Sequence, residues 1–177
     1  MNSTIILDKS KEEISFLNSP TKHTDDLEIL VKLPNIESSP CLHIHPLQSK
    51  KFEAIDGNLV IALVSDKIML KPGESYIVKP NIIHTCIPES DVPTLFKITY
   101  TPSLNMQYLL TEMFDACNRN HSKHATIFEA CYIMAQAPEE YYVANHPIWI
   151  QRFMFPIVAK IGKLLGRIAV KDIKTNY

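Results

Sequence analysis

The sequence lacks the features that would place it in a membrane or on a nucleic acid. It contains no run of eighteen apolar residues, and its longest candidate segment, 148–170, is interrupted by Arg152, Lys160, Lys163 and Arg167, so no transmembrane helix is predicted. The net charge is −1, without the basic excess that is typical of nucleic-acid-binding proteins. We therefore predict neither a membrane span nor a nucleic-acid partner.

Two further absences concern redox state and location. Cys41, Cys86, Cys117 and Cys131 show no CxxC spacing, which is the spacing expected of many zinc and redox sites. The N-terminal run, MNSTIILDKSKEE, lacks the basic start and the longer apolar core of a secretory signal. In a chain without an export signal, thiols are expected to stay reduced. The predicted location is therefore the cytoplasm.

Residues 27–100 form a series of short runs rich in β-branched residues. The runs end at turn-forming residues, among them Pro34, Asp56-Gly57 and Pro72-Gly73. Runs this short and this regularly interrupted predict an all-β sandwich or barrel rather than alternating strands and helices. We expect strands over 27–33, 42–45, 52–55, 59–64, 67–70, 75–78, 84–87 and 94–100.

After residue 103 the apolar spacing changes to a helical period. We expect helices over 103–118, 125–137 and 147–165, and a turn of helix at 139–144. Pro156 lies inside the last of these helices and is expected to kink it. The tail cannot bury its apolar faces alone, so we expect it to pack on the barrel or on a dimer mate.

His43 and His45 stand two residues apart on one short apolar run. Alternate residues of a strand point to the same face, so the two imidazoles would project together. Imidazole binds zinc, iron, copper and nickel, and two imidazoles on one strand form a chelating edge. His84, on another short run, is the expected third ligand. By itself an HxH pair is a weak signal, and incidental histidines are the competing interpretation.

The residues around these histidines resemble the two sequence motifs of the cupin superfamily. The first motif, H-x-H-x4-E-x6-G, aligns with His43, His45 and Gly57, whereas Lys50 takes the place of the glutamate. The second, roughly G-x5-P-x-G-x2-H, aligns with Gly73 and His84.

Two positions of the second motif differ from the pattern. Lys79 stands at the proline position, and Asn81 stands at the glycine position. Asparagine also tolerates left-handed backbone angles, so Asn81 is a chemically reasonable replacement for glycine.

The resemblance implies a mainly β fold, the double-stranded β-helix or jelly-roll barrel of the cupins, over 1–102. An α-helical subdomain would follow over 103–177. Residues 151–166 are similar to the end of a group of small single-domain bacterial cupins with a helical tail. The habit of the superfamily implies a homodimer. It also implies that His43, His45 and His84 hold a divalent transition metal such as zinc, iron, nickel or manganese.

Lys50 puts that metal in question, because metal-binding cupins commonly add the motif glutamate to the three histidines. A protonated lysine repels a divalent cation, and its neutral form needs a strongly lowered pKa. Glu53 lies three positions further on, so strand alternation should turn it to the opposite face. Gln48 offers only a weak amide oxygen.

Three hypotheses follow from this substitution. In the first, the three histidines bind a metal, and water fills the remaining positions, as in open three-histidine zinc sites. In the second, no metal is bound, and Lys50 with the histidines binds an anionic small molecule such as a carboxylate or a phosphorylated compound. In the third, Lys50 points to solvent or pairs with Glu74, and the pocket has no chemistry.

The function predicted from the sequence is the binding of a small molecule at the open end of the barrel. Lys50, Phe52 and Gln48 are the candidate ligand contacts, and no catalytic residue is assigned. One alternative is a metal-dependent enzyme of the dioxygenase or isomerase type. Another is a metal-free ligand-binding or scaffold protein.

The basic C-terminal helix supports a separate hypothesis. It could rest on a membrane surface or receive a partner helix. The competing interpretation is that this helix packs on the barrel or on a dimer mate, with Trp149 and the neighbouring phenylalanines buried as anchors.

Overall fold

The computed structural model describes residues 3–173. Its strands are β1 (Ser3–Leu7), β2 (Glu12–Phe16), β3 (Leu27–Leu33), β4 (His43–Ile44), β5 (Ser49–Asp56), β6 (Leu59–Leu63), β7 (Lys67–Leu70), β8 (Ser75–Val78), β9 (His84–Pro88), β10 (Thr94–Thr101) and β11 (Tyr142–Val143). Its helices are α1 (Met106–Arg119), α2 (Ile127–Gln136) and α3 (Ile148–Leu164), with a short 3₁₀ helix at Ile36–Ser38.

The strands form two antiparallel sheets. One has the order β1-β2-β3-β10-β5-β8, and the other has the order β11-β4-β9-β6-β7. Buried and partly exposed side chains alternate along β3 and β10, as expected of strands with one face on a core. The predicted fold class is confirmed: the protein is mainly β, with two packed sheets followed by a helical C-terminal part.

The eight strands expected over 27–100 are all present, with one informative difference at β5. That strand begins at Ser49 rather than at 52, because its pairing with β10 continues to the bridge between Ser49 and Thr101. The extension brings Lys50 into the sheet, directly opposite Tyr100. The position of Lys50 is therefore set by the regular alternation of a strand.

The turn between β5 and β6 requires the glycine of the first motif. Gly57 has a φ of +75°, and a Cβ at this position would lie 3.0 Å from Thr94 Oγ1 and 3.2 Å from Pro93 O. Both the left-handed backbone and the close approach favour glycine. Gly57 thereby fixes the turn by which the chain passes from β5 in one sheet to β6 in the other.

The segment before α3 differs from its expected conformation. Tyr142 and Val143 do not continue as a helical turn; they form β11, which pairs with β4 at Ile44 and His43. Ala144 N also donates to Leu42 O at 2.9 Å. The free edge of β4 offers unpaired backbone groups, and the tail satisfies them, so the tail contributes a strand to the barrel.

Helix α3 packs on α2 along a narrow face. Gly162 allows a close approach there, since a Cβ at this position would lie 2.8 Å from Phe128 Cβ. Trp149 and Phe153, which were expected to be buried against the barrel or a dimer mate, are 71% and 64% exposed in this single chain. The structure of one chain therefore leaves burial against a dimer mate as a prediction. None of the helices within residues 3–173 is long and apolar enough to span a bilayer.

Candidate metal and ligand site

The structure brings the three motif histidines together between the two sheets. His43 lies on β4, His45 follows it, and His84 begins β9 directly opposite His43 in the ladder. All three side chains are buried. One ring nitrogen of each histidine lies within 4.8 Å of those of the other two. The convergence expected from the sequence is therefore present.

The loop between β8 and β9 holds this arrangement in place. Asn81 adopts the left-handed conformation expected at the motif glycine position, with a φ of +64°. Its backbone N–H donates to His45 O at 2.9 Å, and its side-chain amide donates to Pro46 O at 3.1 Å. Asn81 thus ties the segment before His84 to the segment after His43.

Hydrogen bonds orient all three imidazoles in the same tautomer. In each ring Nδ1 faces an oxygen that can only accept: His43 donates to Cys41 O at 2.7 Å, His45 to Gln48 Oε1 at 3.0 Å and His84 to Ile82 O at 2.8 Å. The proton therefore lies on Nδ1, and each Nε2 presents a lone pair. Among the described residues, Nε2 of His45 and of His84 is buried without a hydrogen-bond partner.

The three imidazoles are neutral at physiological pH. Burial is the main cause of a pKa well below the ordinary value for His43 and His45, and the nearby charge of Lys50 lowers both further. The same two causes lower the pKa of His84 to about 3. Neutral imidazole is the form that binds metals.

Lys50 reaches the histidines from the opposite sheet. It is 3% exposed, and its Nζ donates to His43 Nε2 at 3.3 Å. Nζ also lies 5.0 Å from the ring centroid of Phe52 and 5.1 Å from that of Tyr100, within the range of cation–π attraction. Burial lowers the pKa of Lys50 to about 8, which leaves the ammonium as the main form at pH 7.

The hypothesis that Lys50 points to solvent or pairs with Glu74 is wrong. The Glu74 carboxylate accepts instead from the backbone N–H of Lys71 at 2.8 Å. Glu53 lies on the outer face, as strand alternation predicts, and pairs there with Lys51 and Lys97. Neither carboxylate replaces the motif glutamate.

The two other candidate ligand contacts have distinct positions. Gln48 is buried, and its amide donates to Pro102 O at 3.0 Å and to Ser103 O at 2.9 Å while its oxygen accepts from His45. It therefore acts by orienting His45. Phe52 is fully buried beneath Lys50 and is not among the residues that line the cavity described below.

Sequence analysis missed two tyrosines at this site. Tyr141 stacks on His43 with ring centroids 4.9 Å apart, and its hydroxyl lies 3.1 Å from Cys41 Sγ. Tyr100 lies edge-on to His45 at 5.8 Å. The inward position of Tyr100 follows from alternation along β10, but no local pattern indicates that the segment after α2 returns Tyr141 to the histidines.

A cavity of about 370 Å³ extends from the histidines and Lys50 into the interior. Its walls come from the inner faces of β2, β3 and β10 and from α1. They are mainly apolar and include Ile14, Ile29, Val31, Phe96, Ile98, Met106, Leu109 and Met113. At the rim stand Glu37, Lys123 and His124.

Glu12 is a second ionisable group on the cavity wall. It begins β2, and burial raises the pKa of its carboxyl to about 7. Within the described part of the chain it forms no ion pair with Lys50. The negative charge of Glu12 is thus only partly present at neutral pH and does not neutralise Lys50.

The three histidines of the site favour a divalent transition metal, whereas the neighbouring Lys50 disfavours it. Three neutral nitrogens with converging lone pairs match the protein ligands of open catalytic zinc sites. The ammonium of Lys50 adds positive charge where the superfamily motif supplies a carboxylate. A metal bound here therefore needs a compensating anion.

No protein-family model and no curated protein matches the chain. Among solved structures, an uncharacterised conserved protein with a double-stranded β-helix domain from Klebsiella pneumoniae is 19% identical, with a TM-score of 0.44 over 50% of this chain and 75% of that protein. An RmlC-like cupin from Shewanella frigidimarina is 13% identical, with a TM-score of 0.49 over 58% and 85%. A sugar phosphate isomerase of the cupin superfamily from Silicibacter pomeroyi is 17% identical, with a TM-score of 0.49 over 56% and 71%.

At these identities the likeness concerns the fold, and it transfers neither an activity nor a substrate. The chain's own topology agrees with it: two antiparallel sheets enclose one end at which the histidines of both motifs meet.

Proposed function

From the cupin motifs of the sequence and the two antiparallel sheets of the fold, we propose that the chain is a cupin and that it binds a small molecule beside a divalent transition metal on His43, His45 and His84. The metal and the ligand would occupy the polar end of the cavity. Zinc, iron, nickel and manganese are the candidates, and the donor set of three imidazoles does not select among them.

One observation carries this proposal. Nε2 of His45 and Nε2 of His84 are buried without a hydrogen-bond partner among the described residues, and both belong to a ring whose Nδ1 is already hydrogen-bonded. A buried acceptor without a hydrogen bond costs free energy. Two such acceptors side by side therefore need a common explanation. A metal ion provides that reason, because it accepts both lone pairs together with that of His43.

The residues around the metal would have separate tasks. Gln48 and the backbone oxygens of Cys41 and Ile82 hold the imidazoles in the binding tautomer. Lys50 would turn from His43 Nε2 to a ligand atom near the metal. Bound at this centre, a divalent metal supplies a Lewis acid toward a ligand oxygen.

Metal titration tests the proposal. The full-length protein, stripped with a chelator, is titrated with Zn²⁺ and Co²⁺ by calorimetry, and the visible spectrum of bound Co²⁺ reports the ligand geometry. We expect one ion for each chain and its loss in His84→Ala, whereas His146→Ala, an exposed histidine elsewhere, keeps it. Absence of stoichiometric metal, or equal binding by His84→Ala, would refute the metal centre.

A metal-free binding protein is the second candidate, and the position of Lys50 favours it. The hydrogen bond of Lys50 to His43 Nε2 uses the lone pair that a metal requires. In this alternative Lys50 and the histidines would contact the ligand directly. The enzyme hypothesis requires a bound metal. The metal titration described above therefore also separates a metal-dependent enzyme from a metal-free binding protein.

Two further properties are proposed on separate grounds. A homodimer is supported by the superfamily resemblance and by the exposed apolar side chains of α3, which a second subunit would cover. A cytoplasmic location is supported by Cys41, Cys86, Cys117 and Cys131, all of which are free thiols.

A further inference from the structure

The cavity has one cationic end and a long apolar remainder. At the first end stand Lys50, His43 and His45, and beyond them the walls are formed mainly by aliphatic, aromatic and methionine side chains of β2, β3, β10 and α1. Away from the rim, the polar exceptions are Ser10, Glu12, Ser38 and Ser39. Such a cavity favours a ligand with a single charged head and a hydrocarbon body. A volume of about 370 Å³ lies near the lower end of small-molecule pockets, which are roughly 300–1,000 Å³.

The charge at the cationic end calls for an anion. Within residues 3–173, no carboxylate forms an ion pair with Lys50. Among the same residues, its amino group hydrogen-bonds to His43 Nε2 and lies over the rings of Phe52 and Tyr100. A buried cation is stabilised by a hydrogen-bonded partner of opposite charge. A divalent ion on the histidines would increase the same demand.

The apolar walls decide between the two kinds of anion considered for this pocket. A phosphorylated sugar carries several hydroxyl groups, and each would need a hydrogen-bond partner on burial. The walls contributed by Ile29, Val31, Ile98 and Leu109 offer none. Away from Lys50 and the rim, the polar lining consists of Ser10, Glu12, Ser38 and Ser39. A carboxylate on a hydrocarbon chain has no such groups beyond its head.

We propose that the ligand is a medium-chain monocarboxylate, with its carboxylate at Lys50 and its hydrocarbon chain between β3, β10 and α1. This inference names the ligand class within the proposed function, and it applies whether or not the histidines hold a metal. In the metal-bound protein the ligand carboxylate would offset the positive charges of both the ion and Lys50.

The rim of the cavity offers a path for such a ligand. Glu37, in the 3₁₀ helix, and Lys123, between α1 and α2, form an ion pair across it, with 3.1 Å between Oε2 and Nζ. Exposed pairs of this kind contribute little to stability. Their separation is therefore a small obstacle to the entry of an amphipathic molecule.

Calorimetric titration with octanoate tests the ligand class. The metal-stripped protein and the Zn²⁺-loaded protein are each titrated with sodium octanoate, with octanamide as the uncharged analogue and with glucose 6-phosphate as the polar anion. We expect octanoate to bind, and octanamide and glucose 6-phosphate to bind roughly tenfold or more weakly, because each lacks either the charge or the apolar body.

A matched pair of variants identifies the cationic contact. Lys50→Met keeps an unbranched side chain, shorter by the terminal nitrogen, and removes the charge, and we expect it to weaken octanoate binding roughly tenfold or more. Lys51→Met, the partly exposed neighbour on the other face of β5, should bind octanoate as the unaltered protein does. Circular dichroism confirms that both variants are folded, and the octanamide comparison needs no variant.

Each outcome has a separate meaning. If octanoate binds in neither metal state, or binds Lys50→Met equally well, or binds less tightly than glucose 6-phosphate, the inferred ligand class is wrong. Zinc binding without octanoate binding would overturn the inference and leave the metal centre standing. Octanoate binding without zinc binding would support the inference and remove the metal from the proposed function.

Discussion

The histidine end of the barrel and the outer face of α3 depart in opposite directions from the usual distribution of side chains. In the barrel, Lys50 and the three histidines are buried, although groups of this kind are mostly exposed in folded proteins. On α3, Trp149 and Phe153 are exposed, although large aromatic side chains usually pack inside. Both arrangements cost stability or solubility, which is why each is expected to have a function.

The two regions differ in how completely the chain compensates for that cost. Every buried imidazole has its Nδ1 hydrogen-bonded, and Lys50 lies over two aromatic rings. Nothing within the described residues covers Trp149. The barrel site is therefore organised within one chain, whereas the α3 face depends on something outside it.

Two phenylalanines provide the largest contrast between buried and exposed positions. Phe52→Ala removes a fully buried ring beneath Lys50, and we expect it to lower the free energy of unfolding by about 3–5 kcal/mol. In the dissociated monomer, Phe153→Ala removes a ring that is 64% exposed and should change the free energy of unfolding by less than about 0.5 kcal/mol. Urea denaturation of both variants measures the difference. A large loss in Phe153→Ala would show that the α3 face is covered in solution.

Glu12 tests whether the cavity environment disfavours charge. Its pKa is raised to about 7 in the folded protein, so between pH 4.5 and pH 7 the folded state retains a proton that the unfolded state loses. The contribution of Glu12 to the free energy of unfolding is complete below pH 4.5. It declines by up to about 3 kcal/mol as the pH rises to 7. Denaturation across this range should show the decline in the unaltered protein and not in Glu12→Gln.

The control for this measurement is Glu13→Gln. Glu13 is the next residue on β2, on the exposed face, where it pairs with Lys32. Its substitution should leave the pH dependence in place. If Glu12→Gln retains the same pH dependence, the carboxyl is solvated and the cavity is not the low-dielectric environment described.

Gln48 tests whether the buried polar groups act as one unit. Gln48→Leu keeps a similar volume but removes the acceptor for His45 Nδ1, which frees the ring to change tautomer. We expect metal affinity to fall roughly 10–100-fold, measured by competition with a chromogenic chelator. Gln136→Leu, at the end of α2, is the control. Unchanged affinity in Gln48→Leu would mean that His45 is oriented by packing alone.

The smallest effect is expected at Trp149. It is the single tryptophan of the chain, so its fluorescence reports on the α3 face alone. In the dissociated monomer, where Trp149 is 71% exposed, we expect red-shifted emission that iodide quenches readily, and Trp149→Gln should change the free energy of unfolding by less than about 0.5 kcal/mol. Blue-shifted, protected emission that appears with increasing concentration would indicate that a second subunit covers this face.

Much of the barrel could be predicted because its signals are local. Short β-branched runs between turn residues located the strands of the region 27–100, and the spacing of His43 and His45 placed both on one face. The alignment with the second motif then identified His84 as the third histidine of the site. Glu53 was correctly placed on the outer face by alternation alone.

The parts that were missed depend on contacts between distant segments. Nothing near residue 142 indicates that β11 will complete the edge of β4, and nothing near residue 141 indicates a ring stacked on His43. The exposure of Trp149 in the single chain could not be predicted either, because an apolar residue on a helix shows only that it needs a partner, not where that partner lies. Its burial against a dimer mate stays a prediction.

The sequence by itself determined the strands of the region 27–100, the shared face of His43 and His45, and the substitution of Lys50 for the expected glutamate. Only the tertiary structure decided that Lys50 lies inside, with its amino group 3.3 Å from His43 Nε2, and that α1 closes an apolar cavity over the inner face of the sheet. The reason is physical: alternation is a property of one strand, whereas these distances are set by how two sheets and a helix pack against one another.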